Sequence, residues 1–348
     1  AGALARGRGD ASGSGRADGD AVGDERQRGA DLVSRAPRFD VAVGPDGYAW
    51  WYIDGVSDDA SRAVSVIGFI GSVFSPWYRW SGRRHPQDHV CINVATYGPG
   101  RFGGRFTMTD RGAAALRQSR DVFEVGPSRM VWRGDRLVID IDEWAAPPVP
   151  GRVRGRITVV PSALTAEELA LTPDGRHRWR PFAPVARIEV RLGGAWDWDG
   201  HGYFDANFGA AALEADFRTW NWGRYPVRDG AICFYDAVRA DGTALAVAKR
   251  FGADGRAEDV EAPPLTRFSR SLWAVARETR ADAGFRPRQV KPMLDAPFYS
   301  RSLVRTKIAG EETVGVHEAL DLRRLKGPWL MPMLALRVPR RRGWKFGD

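Results

Sequence analysis

The feature that most constrains the fold is a recurring pattern. Short runs alternate apolar and polar residues, and each run is bounded by Gly, Pro, Asp or Ser. A period of two sends successive side chains to opposite faces, which suits a strand and not a helix. In HVCINVA (89–95), Val90, Ile92 and Val94 share one face while Cys91, Asn93 and Ala95 share the other. SVIGFIG (65–71) is a second β-rich run. In SRMVWRGDRLVIDID, Gly134-Asp135 forms a two-residue turn between alternating strands. Leu137, Ile139 and Ile141 point one way and Asp140 and Asp142 the other. RVRGRIT (152–158) and RIEVRL (187–192) place Arg or Glu at every second position, and ICFYDAVRADGTALAVAKRF turns at Asp241-Gly242. Helix signals are few: a Thr165/Glu168 capping box in LTAEELAL, and HEALDLRRL at 317–325. Many short strands predict an all-β chain of barrels or sandwiches, and 348 residues are enough for two.

The composition agrees, with 40 Gly, 22 Pro and 14 Trp favouring turns and sheet over helix. No apolar run reaches the length of a spanning helix, and the first residues carry no apolar signal core. Residues 1–36 are mostly Gly, Ala, Ser, Asp and Arg, and are expected to form a disordered, low-complexity tail. Order is expected from Pro37. Cys91 and Cys233 are too few for a disulfide framework or a thiolate metal cluster and suit free thiols on the cytoplasmic side. The net charge of +9 comes from 47 Arg and 5 Lys spread along the chain. Nucleic-acid binding favours a concentrated basic stripe. Only RVPRRR (337–342) approaches one, so no nucleic-acid partner is expected and an anionic membrane surface suits that cluster better.

Three motifs have ordinary explanations. GPGRFG (98–103) matches a phosphate-loop pattern, but Pro99 and the strand-like RFTMT make it a hairpin loop. His85 and His89 have helical ligand spacing, yet Pro86 disfavours the helix and no third ligand stands out. Asp197 and Asp199 in WDWDG lack the remaining positions of a calcium loop and read as a turn between strands.

Two other segments concentrate chemistry. In GRHRWRPF, His177 and Trp179 share a side of an extended chain; in GHGYFDANFG, Tyr203, Asp205 and Asn207 do the same. Gly200, Gly202 and Gly209 flank the second segment and imply unusual backbone angles or close packing. An acid beside a phenol among aromatics is either a desolvated carboxyl group able to donate a proton near neutral pH, or a turn residue beside core aromatics. The downstream Trp220, Trp222 and Tyr225 serve equally as barrel filling.

Over residues 38–340 the chain resembles the carotenoid 1,2-hydratases, also called hydroxyneurosporene synthases. The resemblance is carried in order by YAWWYIDGVSDD, FIGSVFSPWYRW, DHVCINVATYG, RWRPFAPVARIEV, GYFDANFG, FYSRSLVRT and HEALDLRRLKGPWLMPML. It implies two lipocalin-like (calycin-type) β domains and cofactor-independent addition of water to the terminal C1–C2 double bond of acyclic carotenes, a hydro-lyase reaction. It also implies a His-x-Trp and a Tyr-x-Asp pair as essential residues, which fall here on His177, Trp179, Tyr203 and Asp205. The wider superfamily often has a second His or a Trp in the Tyr-x-Asp segment, where this chain has Ala206 and Phe208.

The implied chemistry needs a well-placed acid, because an isolated alkene is a very weak base. Asp205, neutral in an apolar cleft, would protonate C2 and leave positive charge on C1. Trp179 and Tyr203 would face the cation. Water would then attack C1, oriented by His177, Tyr203 or the Asp205 carboxylate. The expected domains are 37–205 and 206–336, with a basic tail at 337–348. The substrate lies in a bilayer, so Trp329, Leu330, Met331, Met333, Leu334 and Leu336 beside Arg340, Arg341 and Arg342 read either as a peripheral anchor or as a last strand packed on the barrel. An anchor would place the enzyme on the cytoplasmic side of the bacterial inner (photosynthetic) membrane. The competing functions are a non-catalytic carotenoid or lipid carrier of the same fold, and a β-sandwich glycosidase or sugar binder. The latter needs a second facing carboxylate.

Overall fold

The computed structural model describes residues 35–99 and 103–340. Most of the expected tail at 1–36, the centre of the GPGRFG loop and the end of the basic tail therefore lie outside the described residues. Within the described residues, two large antiparallel sheets carry the fold.

The first sheet contains β1 (Tyr48–Ser57), β2 (Ala63–Ile70), β3 (Val90–Tyr97) and β4 (Gly104–Thr107). It continues with β5 (Leu116–Gln118), β6 (Val122–Val125), β7 (Ser128–Trp132), β8 (Leu137–Ala145) and β9 (Gly151–Pro161). It is completed by the short β10 (Leu169–Ala170) and the long β11 (His177–Arg191) and β12 (Asp197–Gly209). Its spatial order is β4-β3-β2-β1-β12-β11-β9-β8-β7-β6-β5. A sheet this wide curls. Phe123 on β6 comes to lie over β1, with its ring 5.0 Å from that of Trp51. Every residue of β1 is consequently buried, on both faces.

The second sheet contains β13 (Phe217–Val227), β14 (Gly230–Arg239), β15 (Ala244–Gly252) and β16 (Ala257–Asp259). After a small hairpin of β17 (Leu265–Arg267) and β18 (Glu278–Arg280), β19 (Arg288–Ala296), β20 (Tyr299–Ile308) and β21 (Glu311–Asp321) complete it. The chain passes between sheets after Gly209, through the one-turn helix Leu213–Asp216. One apolar core joins the sheets, drawing Tyr48, Trp50 and Tyr52 from β1, Trp220 and Trp222 from β13 and Tyr299 from β20.

Alternation explains the registers. On β8, Leu137, Ile139 and Ile141 are buried. The outward Asp140 meets Arg129 and Arg156, and Asp142 meets Arg152. Such exposed pairs add little stability, yet a one-residue slip would turn every buried side chain outward. The Gly134-Asp135 and Asp241-Gly242 turns occur where expected, with Gly134 and Gly242 both at φ near +90°. Three local expectations fail. LTAEELAL forms no helix; the Thr165 hydroxyl donates to the Pro181 carbonyl and its N–H to Phe182, docking the segment on β11. In HEALDLRRL the strand runs to Asp321, and only Leu322–Leu325 is helical. Asp197 and Asp199 stand on β12 instead of in a turn, and the turn precedes them at Gly194–Trp196.

Candidate active site

The centre of the site comes from adjacent strands β11 and β12. Trp179 pairs with Asn207, and Pro181 with Asp205, so the alternate residues Trp179, Tyr203 and Asp205 all face the second sheet. Asp205 is 4% exposed. Its Oδ2 accepts two hydrogen bonds, from Trp179 Nε1 at 2.8 Å and from the Tyr203 hydroxyl at 2.7 Å. Its Oδ1 is buried with no hydrogen-bond partner among the described residues. Burial, together with the nearby Glu318 and Asp54 carboxylates, pushes the carboxyl up to about 8 against the pull of the two donors. Burial and Asp205 also hold the Tyr203 phenol well above its usual range, so it stays a donor.

These facts locate the proton. Oδ2 already receives an indole N–H and a phenol O–H, so the proton of the neutral acid belongs on Oδ1. The two bonds become stronger when Oδ2 shares a negative charge, so they favour the state reached after the proton leaves.

Asp205 lines a cavity of about 40 Å³ between the sheets. Its wall includes Trp50, Trp220, Trp222 and Tyr235, aromatic faces suited to a cation. Trp179 and Tyr203 stand behind the carboxyl as donors and are not part of that wall. Trp220 and Trp222, which sequence alone left open between site and barrel filling, are part of it. The signal lay in their two-residue spacing on a strand.

Two strand positions from Trp179, His177 is fully buried, with Tyr48 on Nδ1 at 2.8 Å and Asp216 on Nε2 at 2.7 Å. Burial lowers its pKa against the opposing effect of Asp216. The structure thus brings Trp179, Tyr203 and Asp205 together and sets His177 apart, tying β11 to β1 and to the helix at 213–216. Close packing makes this possible: a Cβ on Gly209 would stand 2.1 Å from the Tyr48 ring and 2.9 Å from His177 Nδ1. At Gly200 a Cβ would meet the Val56 carbonyl oxygen at 1.9 Å. Neither glycine has a positive φ, so of the two implications for this segment, close packing holds here. His201, also on β12, is held by Arg224 at 3.1 Å; Arg224 in turn is buried against Asp54.

A second, larger cavity of about 240 Å³ shares Ile67, Phe74, Tyr299 and Arg301 with the first. It is walled on the far side by Leu330, Met333 and Leu334 of the helix Leu330–Ala335 and by Trp273. Leu272 is 87% exposed and Leu336 76% exposed, and Trp273, Trp329 and Met333 are exposed as well. The C-terminal apolar segment is thus a helix and not a last strand. Within the basic cluster, Arg340 turns inward to Asp110 and Arg337 stacks 4.9 Å from the Phe106 ring centroid. Arg341 and Arg342 lie outside the described residues. Among the described residues no cluster of His, Cys, Asp and Glu has metal-binding form.

A family profile described as "Carotenoid hydratase CrtC" matches residues 66–347. The chain belongs to the carotenoid hydratase family. It is 64% identical over 281 residues to an acyclic carotenoid 1,2-hydratase of Cereibacter sphaeroides, covering 81% of this chain and all of that one. It is 59% identical over 284 residues to the enzyme of the same name from Rhodobacter capsulatus, again with 81% and 100% coverage. A solved structure of a putative AttH from Nitrosomonas europaea shares the lipocalin-like fold, with TM-score 0.54 and 15% identity, covering 82% of this chain and 99% of that one. Across the family match stand all four candidate site residues.

Proposed function

We propose that this hydratase adds water across the terminal C1–C2 double bond of acyclic carotenes, with Asp205 as the acid and without a cofactor, as a hydro-lyase. The observation that carries this reading is the pair of oxygens on Asp205: Oδ2 saturated by Trp179 and Tyr203, and Oδ1 without a partner in the wall of an aromatic cavity. Asp205 gives its proton to C2, and the π pair becomes the new C–H bond. C1 is left as a tertiary cation facing Trp50, Trp220 and Trp222. The carboxylate, held by its two donors, stabilises that charge in a site walled off from bulk water. Water attacks C1 and gives up a proton, forming the tertiary alcohol.

The two neighbouring cavities support access from a bilayer. The larger one is lined by the partly exposed Trp273 and Met333, and the exposed Leu272 and Leu336 adjoin its lining residues Trp273 and Arg337 in the chain. In this reading that apolar rim rests on the membrane on its cytoplasmic side, and one end of the carotene slides inward while the rest stays in lipid. Arg340 is already engaged by Asp110, so the apolar rim takes the larger part in attachment.

Incubation with lycopene in liposomes, without added cofactor, tests the reading. The wild-type protein should yield a product heavier by one water, and Asp205→Asn should bind lycopene without converting it. A folded, lycopene-binding wild type that forms no product would leave a carrier. A product from Asp205→Asn would remove Asp205 as the acid.

A further inference from the structure

The carboxyl that gives a proton to the alkene is ill placed to take one from water at the same moment, and the structure holds a second carboxylate in the same cavity. Glu318 on β21 pairs with Trp222 across one edge of its strand and with Arg301 across the other, so all three side chains share the face toward Asp205. Glu318 and Asp205 both line the 40 Å³ cavity. Arg301 Nε donates to Glu318 Oε1 at 2.7 Å. Arg301 is itself fixed to the first sheet, donating through Nη1 to the Ser65 hydroxyl and to the Tyr97 hydroxyl at 3.2 Å. The Tyr52 and Tyr299 rings flank it, at 5.2 and 5.4 Å.

A buried ion pair of this kind adds little stability over well-packed apolar residues, so it calls for another explanation. The same wall carries buried polar atoms with no hydrogen-bond partner among the described residues: Asp205 Oδ1, Trp220 Nε1 and Trp222 Nε1. Buried donors at a cavity wall require a polar occupant, and a space of about 40 Å³ has room for a water molecule.

We infer that Glu318 is the catalytic base of the hydration, acting on a water held in this cavity between Glu318 and the indole N–H groups of Trp220 and Trp222. The inference rests on the hydration reading above. After Asp205 has protonated C2, the water oxygen bonds to C1 while one of its protons passes to Glu318. The alcohol forms with the second proton retained. Glu318 then returns its proton to the Asp205 carboxylate through the next water to enter, so both carboxyl groups end as they began. Arg301 is a positioning residue: it holds Glu318 on the water side of the cavity.

The test uses the full chain in liposomes with lycopene, in D₂O. Glu318→Gln should bind lycopene and lower hydration by about 100-fold or more, the usual contribution of a general base. Recovered lycopene should still gain deuterium at C2, because the cation forms and reverts. Asp205→Asn should show neither hydration nor deuterium uptake. Hydration by Glu318→Gln at the wild-type rate would overturn the inference while leaving Asp205 as the acid. Loss of both hydration and deuterium uptake in a folded, lycopene-binding Glu318→Gln would also overturn it, by placing Glu318 before the cation. Should Glu318→Gln fail to fold, Glu318→Asp keeps the ion pair and withdraws the carboxylate. Slowed hydration with persisting deuterium uptake would support the base, and an unchanged rate would refute it.

Discussion

Tyr203→Phe removes one oxygen atom and leaves the ring against Trp222, 5.1 Å away, in place. What disappears is the 2.7 Å bond to Asp205 Oδ2, one of the two that pull the carboxyl down against burial. A hydrogen bond to a charged acceptor is worth about 1.5–3 kcal/mol, and one pKa step is about 1.4 kcal/mol, so the carboxyl should rise by about one to two pH units. It stands at about 8 in the intact site. In the proposed mechanism the acid form is the active one, so hydration by the wild type should fall as pH rises through about 8. In Tyr203→Phe this alkaline limb should move upward by about one to two units. A weaker acid also transfers its proton more slowly, and the same shift caps the loss at neutral pH at about 10- to 100-fold. The assay is kcat/KM for lycopene in liposomes between mildly acidic and strongly alkaline pH. An alkaline limb that stays put or moves down would refute the assignment of Tyr203 as a donor to the carboxylate. A loss far beyond 100-fold at low pH would show that the phenol contributes more than this bond.

The remaining predictions address stability and attachment. The folded Asp205 carboxyl titrates above its unfolded value, so its burial costs nothing below about pH 4 and progressively more up to about 8. Asp205→Asn should therefore be more stable than wild type at pH 9, by about 6 kcal/mol at most, and alike at pH 4, as read by urea unfolding at each pH. His177→Ala loses the bonds to Tyr48 and Asp216 and should cost about 2–4 kcal/mol in the same measurement, with hydration per folded molecule largely kept. Leu272→Asp combined with Leu336→Asp should weaken co-sedimentation with liposomes by at least about 10-fold, since each buried apolar side chain contributes about 1.5–3 kcal/mol.

Strand alternation carried most of the fold into view. The faces of HVCINVA, the Gly134-Asp135 hairpin and the turn at Asp241-Gly242 all follow from period and turn chemistry, which are local. The Thr165 capping box failed because its hydroxyl has a tertiary partner, the Pro181 carbonyl, that no local rule can see. HEALDLRRL was hidden for a related reason: Glu318 and Leu320 face a core built by the other sheet. In the site, two-residue spacing put His177 and Trp179 on one side of one strand and Tyr203 and Asp205 on one side of another, and the family resemblance singled these four out. His177 has the same spacing, yet its direction along β11 leads to Asp216 and away from the cavity. Glu318 could not be found from sequence, since its meeting with Asp205 depends on how β12 and β21, more than 100 residues apart in the chain, pack face to face.

The central claim is that Asp205 is a neutral acid in the resting enzyme. It is tested most directly by ¹³C NMR of the protein labelled at aspartate side-chain carboxyls, with Asp205→Asn assigning the signal. The account predicts one protonated carboxyl at neutral pH that titrates near 8 and vanishes in the variant. An Asp205 signal already ionised at pH 6 would contradict it.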